Sequence, residues 1–539
     1  LQTDKNQKLY HALLGILLVC ALAMMMLLSY WACKYSYYGA VDGRTRGVLV
    51  GDKTWAHIAV FLAASLCAMG IDKVLMKKDK SQQEKICLCT LIVTSVIAFI
   101  LGVFYVCKNP YYPVGDQINT TAFAAYCRDG NFSMLSIGGY VGMYQQQKGL
   151  AILYEILFTL FGDFNYRPAK ILHVVWWILT ILAGYGFLKL NTDRPVFRML
   201  YCVMMLGCFP LLFYLPYIYG DVLSISFGII LFYGVAAYEH SGQKRYIALA
   251  SFAAGLAVLA RKNTWIVLVA VAVYVLLVSL RKKKVRYLMA GTAILLTAAL
   301  SVKAVDVIYE VRSGYPSGVG IPSILWVAMG LQETEGRAGV YNRYQQATFT
   351  DYDCQQELAA QQGKEYIRER LEEFSQDPGM AFNFFKNKVE GQWIEPMYAA
   401  LESTESFEEG AELSPVLESL YYGELGRTIW KLTNYYQSIL YLAGLMALVM
   451  LGILWWKKKE VPISLWLPWI AVFGGFLFSI LWEAKSRYVF PYCVFMILYA
   501  PEGLYQTGLL LCKLPKLRKF KKSGHTQDKG EEASLRETA

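Results

Sequence analysis

Apolar stretches long enough to cross a bilayer, about 17–25 residues, recur near 9–30, 54–76, 86–107, 171–189, 199–217, 222–239, 287–304, 434–456, 463–482 and 488–512. Between 246 and 280 the apolar run is interrupted by Arg261-Lys262-Asn263, which predicts two short spans meeting there. A further run, 147–162, is short and begins with Gln145-Gln146-Gln147-Lys148. The pattern predicts an all-α polytopic membrane protein of about 12 transmembrane helices with two extracytoplasmic segments. The first segment is 108–146. The second, 305–433, is polar and acidic, with a helical pattern over Gln355–Phe374 and an apolar piece, Ile321–Leu331, bracketed by Pro322 and Gly330.

Basic residues cluster at the ends of the apolar runs: Lys77-Lys78, Arg281-Lys282-Lys283-Lys284, Lys457-Lys458-Lys459 and the tail from Lys513 to Lys522. Cytoplasmic loops carry such clusters. Placing them inside, with Lys5 and Lys8, puts Asp116, Asp221, Arg261-Asn263 and Glu483–Arg487 outside. Asp116 and Asp221 then share a side, so an even number of crossings separates them, although three apolar runs lie between. The run 147–162 is the one expected not to cross, as a short or re-entrant helix, which leaves Lys189, Arg194 and Arg198 inside. The alternative, with Arg167 and Lys170 inside, stays open. The chain divides into a helix pair (1–85), a core (86–304), the outer acidic segment (305–433), C-terminal helices (434–512) and a basic cytoplasmic tail (513–539).

Composition supports the membrane reading. The chain is 56% hydrophobic and 17% charged, below the roughly 25% of soluble domains. Its 39 Tyr and 13 Trp suit two interfacial belts. The net charge of +11 is accounted for by the topology clusters, so no nucleic-acid partner is expected, and contact of the tail with anionic membrane lipids is a minor extra. The first apolar run lacks a small-residue cleavage site and reads as a retained anchor. Most of the 12 Cys lie in apolar runs, and no CxxC or His/Cys ligand spacing appears. Cys127 and Cys354 fall in polar loops, where a pairing stays open.

The order of several short elements resembles the integral-membrane glycosyltransferases of the C superfamily (GT-C), in particular bacterial proteins similar to protein O-mannosyltransferases and aminoarabinose transferases. The likeness rests on Tyr112-Pro113-Val114-Gly115-Asp116-Gln117, on the stretch from Tyr140 through Gln147-Lys148-Gly149 to Gly162, on Pro216-Tyr217-Ile218-Tyr219-Gly220-Asp221, on Arg261-Lys262-Asn263, and on Glu483-Ala484-Lys485-Ser486-Arg487-Tyr488 with Pro491. It covers roughly 86–500. Two spans precede the one feeding the first loop, where many relatives have one. The family's second acid is replaced, since Gln117 and Ile118 follow Asp116.

The resemblance implies a GT-C-like fold and transfer of a sugar from a polyprenyl-phosphate carrier to an extracytoplasmic acceptor: protein, lipid or cell-wall polymer. It implies a bacterial cell membrane as the location. The chain carries no Walker or dinucleotide motif, and its cytoplasmic loops are short, which also argues for a lipid-linked donor. Such a reaction needs a carboxylate to take the acceptor proton and cations to meet the phosphate leaving group. Asp116 is the expected general base and Asp221 a second acid. Arg261, Lys262 and Arg487 are the expected phosphate contacts, with Glu483, Tyr488, Tyr144, Gln147 and Lys148 lining the substrate site. Each has an ordinary alternative: a turn Asp at Asp116, a helix cap at Asp221, an i, i+4 ion pair of Arg487 with Glu483, and snorkelling of Arg261 and Lys262. Tyr140 is a further cavity candidate, Asp129 reads as a turn residue, and His173 and Trp393 read as core. No cofactor is certain and a divalent metal stays open. A polyprenyl-lipid transporter or flippase, or a non-catalytic envelope-assembly protein, is the alternative reading.

Overall fold

The structure, a computed structural model, describes residues 2–38, 48–318, 320–459 and 461–513. The basic tail beyond Lys513 and the side chain of Lys5 lie outside the described residues. Among the described residues the regular structure is helical apart from two short antiparallel hairpins, Tyr35–Tyr38 with Val48–Gly51 and Glu333–Thr334 with Arg337–Ala338. Among the described residues, nine helices are long and apolar enough to cross a membrane: Asn6–Lys34, Thr54–Leu75, Lys80–Lys108, Arg167–Asn191, Asp221–Ser241, Lys262–Lys282, Val285–Ser313, Glu424–Trp456 and Ile463–Leu481. This is the pattern of a multi-pass membrane protein.

Helix Asp221–Ser241 is the most enclosed. It is apolar on every side, as a helix surrounded by other helices must be. It packs against Arg167–Asn191 and Lys244–Ala260. Small residues permit the second contact: Ala250, Ala253, Ala254 and Ala257 are fully buried, and a side chain on Gly234 would meet the Tyr246 carbonyl at 3.0 Å. Close backbone approach of this kind is how helices gain packing in an apolar solvent.

The break expected at Arg261-Asn263 is present. Helix Lys244–Ala260 ends, a single 3₁₀ turn covers Lys262–Thr264, and the next helix starts at Trp265. The run 147–162 forms helix Lys148–Phe161, whose 14 residues cover about 21 Å, short of the roughly 30 Å hydrocarbon core. The run 199–217 differs from expectation. Helix Pro195–Leu206 stops before Gly207, Phe209–Phe213 makes one turn, and the chain then runs without helix to Gly220. Non-helical backbone at membrane depth is tolerated when enclosed by protein, and Tyr214, Leu215, Tyr217 and Ile218 are at most 2% exposed. The run 488–512 is likewise interrupted. Helix Ser486–Met496 gives way to a turn at 497–499 before a second helix over 500–513.

The segment 305–433, expected to lie outside, is built mainly from helices, the longest that begin within it before the span Glu424–Trp456 being Gln356–Gln376 and Pro378–Trp393. It is stitched to the site-bearing loops by backbone hydrogen bonds. Tyr112 N–H donates to the Ser406 carbonyl at 2.8 Å, Glu408 N–H to Pro110 at 3.0 Å, and Ala484 N–H to Gly339 at 2.7 Å. Buried Lys388 donates to the Gly330 carbonyl, and Gly330 lies so close to the backbone of Leu481 and Trp482 that a side chain there would collide with it.

Candidate functional site

Five separate stretches converge on one cluster at one end of the bundle. Gly115 turns the chain with φ 59° and ψ −124°, a conformation that favours glycine, and Asp116 opens helix Asp116–Arg128. The Asp116 carboxylate is exposed and accepts a 2.8 Å hydrogen bond from the Tyr140 hydroxyl. The next side chain points the other way. Buried Gln117 donates through Nε2 to the phenol oxygen of Tyr217.

Tyr217 sits in the non-helical stretch that leads into Asp221. Its phenol also accepts from Arg487 Nη1. Arg487 Nε stands 3.9 Å from Asp221 Oδ1, and Arg261 Nη1 closes on that same oxygen at 2.5 Å. Gly220 makes this meeting possible, since any side chain there would strike the Ala260 carbonyl just before Arg261. The two guanidiniums also lie over shared aromatic rings. Arg261 is 5.3 Å from Tyr219 and 5.4 Å from Tyr488, and Arg487 is 5.3 Å and 5.5 Å from the same rings. Tyr219 in turn accepts from Gln147 Nε2 at 2.6 Å.

Asp221 is 2% exposed, Arg487 6%. Asp221 Oδ2 and Arg487 Nε have no hydrogen-bond partner, a situation that costs about 1–3 kcal/mol or more per buried group. The space between Asp221, Arg261, Arg487 and Tyr488 is about 20 Å³, room for about one water. The cap reading of Asp221 does not hold: Gly220 is the N-cap and makes no side-chain cap bond. The i, i+4 pair of Arg487 with Glu483 does not form either, because residues 482–485 are not helical. Glu483 instead accepts from the Tyr488 hydroxyl at 3.3 Å.

Two cavities are walled by chain neighbours of the cluster residues. One, about 340 Å³, has an apolar side of Val258, Leu259, Val302 and Val305 and a polar side that includes Lys262 and Ser323. It lies against Lys148 and Lys262, the residues that follow Gln147 and Arg261 of the cluster. Lys262 Nζ reaches Ser323 Oγ at 3.4 Å. Lys148 is engaged elsewhere: it is 2% exposed and pairs with Asp306 at 2.5 Å and with Ser317 Oγ at 2.8 Å. The second cavity, about 410 Å³, lies under the outer segment and is walled by Glu483, Lys485 and Ser486, just before Arg487. The Tyr144 ring lies 5.1 Å from that of Tyr140 and 6.2 Å from that of Trp326.

Of the ten sequence candidates, Asp116, Asp221, Arg261, Arg487, Tyr488 and Gln147 belong to the cluster, Lys262, Lys148 and Glu483 line a cavity, and Tyr144 packs on Tyr140; Lys148 is taken up by its ion pair with Asp306. Tyr217, Gln117, Tyr219 and Lys485 belong to the arrangement and were not singled out as site residues. Asp129 ends its helix beside Gly130 at φ 76°, a turn position. His173 is buried with Nδ1 2.9 Å from the Leu215 carbonyl. Trp393 is fully buried and donates to Ser479 Oγ at 3.0 Å. No group of three His, Cys, Asp or Glu side chains gathers as a metal site among the described residues. Comparison with protein-family models, curated proteins and solved structures finds no match to the chain.

Burial pushes the Glu483 carboxyl up to about 7, with Asp116 acting in the same direction and Lys485 and Tyr488 opposing. Unfolding returns it to water and to the ordinary range near 4.5. Between those values the folded state binds more protons than the unfolded one, so this group subtracts stability as pH rises through the window. Glu483→Gln is expected to lessen the fall in thermal unfolding temperature between about pH 4.5 and 7. Parallel curves for parent and variant would show that Glu483 is not the titrating group.

Proposed function

We propose that this chain is a GT-C-type membrane glycosyltransferase that uses a polyprenyl-phosphate sugar and glycosylates an acceptor at the outer face of a bacterial cell membrane. The observation that carries the reading is that chain neighbours of one acid-and-guanidinium cluster wall both an apolar-sided cavity, at Lys262, and a polar cavity, at Glu483 to Ser486. An amphiphilic donor and a water-borne acceptor need two such approaches to one reacting centre.

In the proposed reaction an acceptor oxygen attacks C1 of the donor sugar. The C1–oxygen bond to phosphate breaks and polyprenyl phosphate leaves with the electron pair. Asp116, the one exposed carboxylate of the cluster, takes the acceptor proton, its oxygen oriented by Tyr140. Positive charge on Lys262, Arg487 and Arg261 meets the charge that develops on the phosphate. The buried Asp221 fixes both guanidiniums instead of moving a proton. A single displacement inverts C1; a retaining route needs a second carboxylate as nucleophile. The polyprenyl chain is assigned to the wall formed by Val258, Leu259, Val302 and Val305.

The test is the purified protein in lipid nanodiscs with a panel of polyprenyl-phosphate sugars and an envelope extract as acceptor. Release of polyprenyl phosphate together with sugar on the acceptor is expected. Movement of intact lipid between leaflets without release would replace the enzyme reading with that of a flippase.

A further inference from the structure

The outer cavity has a wall chemistry of its own. Glu390, Glu395, Glu402 and Glu483 face it, and so do Arg337, Lys388 and Lys485. Glu390 also pairs with Lys386 at 3.2 Å. Four acids and three bases share one wall, so neither sign has the cavity to itself. They do present acceptors and donors side by side. Tyr37 and Tyr341 add aromatic faces and Asn387 a neutral amide. The volume, about 410 Å³, lies in the usual range of small-ligand sites, roughly 300–1,000 Å³.

The carboxylates differ in how far the protein itself occupies them. Glu395 is taken up by the backbone N–H groups of Met397 at 2.9 Å and Ala399 at 2.5 Å. Glu390 is 3% exposed and its Oε1 has no hydrogen-bond partner. Glu402 is half-buried and makes no ion pair within 4 Å among the described residues. Burial raises its carboxyl above the ordinary range, and Lys485 opposes.

The cavity also connects to the reacting centre. Its wall 483–486 runs directly into Arg487 and Tyr488. On the other side, Tyr341 interacts with the Tyr144 hydroxyl, Tyr144 packs on Tyr140, and Tyr140 holds Asp116.

We propose that this cavity is the acceptor subsite and that it takes an uncharged, hydroxyl-rich carbohydrate, which rests on the glycosyltransferase reading above. A sugar hydroxyl donates to a carboxylate and accepts from an ammonium or guanidinium, so a wall that carries both kinds of group satisfies it in both senses. Its apolar ring face lies on tyrosine. A polycationic or a polyanionic segment would meet like charges as well as opposite ones.

The test is binding, measured by calorimetry or saturation-transfer NMR on the full chain in nanodiscs. The probes are maltotriose, cellotriose and chitotriose, with trilysine and trigalacturonate for contrast. At least one neutral trisaccharide is expected to bind in preference to both charged oligomers. Glu402→Gln and, separately, Tyr341→Ala are expected to weaken that binding by about tenfold or more, while affinity for polyprenyl phosphate is unchanged. Preference for trilysine or trigalacturonate, no neutral binding, or neutral binding insensitive to both variants would overturn the assignment. Sugar binding with no transfer from any donor would sink the enzyme reading and leave the subsite standing. Transfer with no neutral-sugar binding would do the reverse.

Discussion

Asp116→Asn is expected to lower transfer from polyprenyl-phosphate sugar by about 10²–10⁴-fold, the usual contribution of a general base. The amide is nearly the same size and still accepts from Tyr140, whose hydroxyl donates to Asp116 at 2.8 Å. Because Asp116 is exposed, no buried partner is stranded by the change. Unfolding temperature and affinity for polyprenyl phosphate should therefore stay at the parental values. The measurement is single-turnover release of polyprenyl phosphate beside both controls. Parental turnover in a well-folded variant would remove Asp116 from the chemistry.

The second large effect is on stability. Asp221→Ala leaves Arg261 and Arg487 buried beside each other without the carboxylate that now lies 2.5 Å from one and 3.9 Å from the other. Removing one partner of a buried ion pair typically costs about 3–5 kcal/mol. Denaturant unfolding in detergent reads this directly. The double variant Asp221→Ala with Arg261→Ala should recover a large part of the loss, because the stranded charge goes with its partner. Additive losses in the double variant would show that Asp221 acts through packing and not through charge.

Much of the frame was legible in the sequence because bilayer thickness imposes a minimum apolar length on every span. Apolar runs marked the long helices, and the polar triplet Arg261-Lys262-Asn263 marked a real break, since charges inside an apolar hairpin need a polar neighbourhood. Topology from the basic clusters placed Asp116, Asp221, Arg261 and Arg487 on one side, and the structure brings their side chains into one cluster. Hydropathy was blind to 199–217, where the residues are apolar enough for a span yet the backbone leaves the helix. Gly207, Pro210 and Pro216 carried that signal, and Pro disfavours helix both at its own position and at the one before. Tyr217 lay in one of the stretches that carry the resemblance, but nothing in the sequence marked its side chain as the partner of Gln117 and Arg487. Its importance comes from where a non-helical backbone aims it. Lys148 looked free because its partner, Asp306, lies 158 residues away just past the predicted end of a span, and such pairs exist only in three dimensions. The outer cavity was similarly out of reach, since its walls come from the N-terminal hairpin, the outer segment and the loop before Arg487.

The stitches between the outer segment and the bundle have a consequence for how this architecture diversifies. Gly330 against Leu481 and Trp482, Ala484 on Gly339 and Lys388 on Gly330 all fasten the outer helices to the very loop that ends in Arg487. The outer segment is thus not a detachable module. Exchanging it for that of another protein would shift the guanidinium at the reacting centre, so a new outer partner has to be acquired by changing residues inside the existing frame.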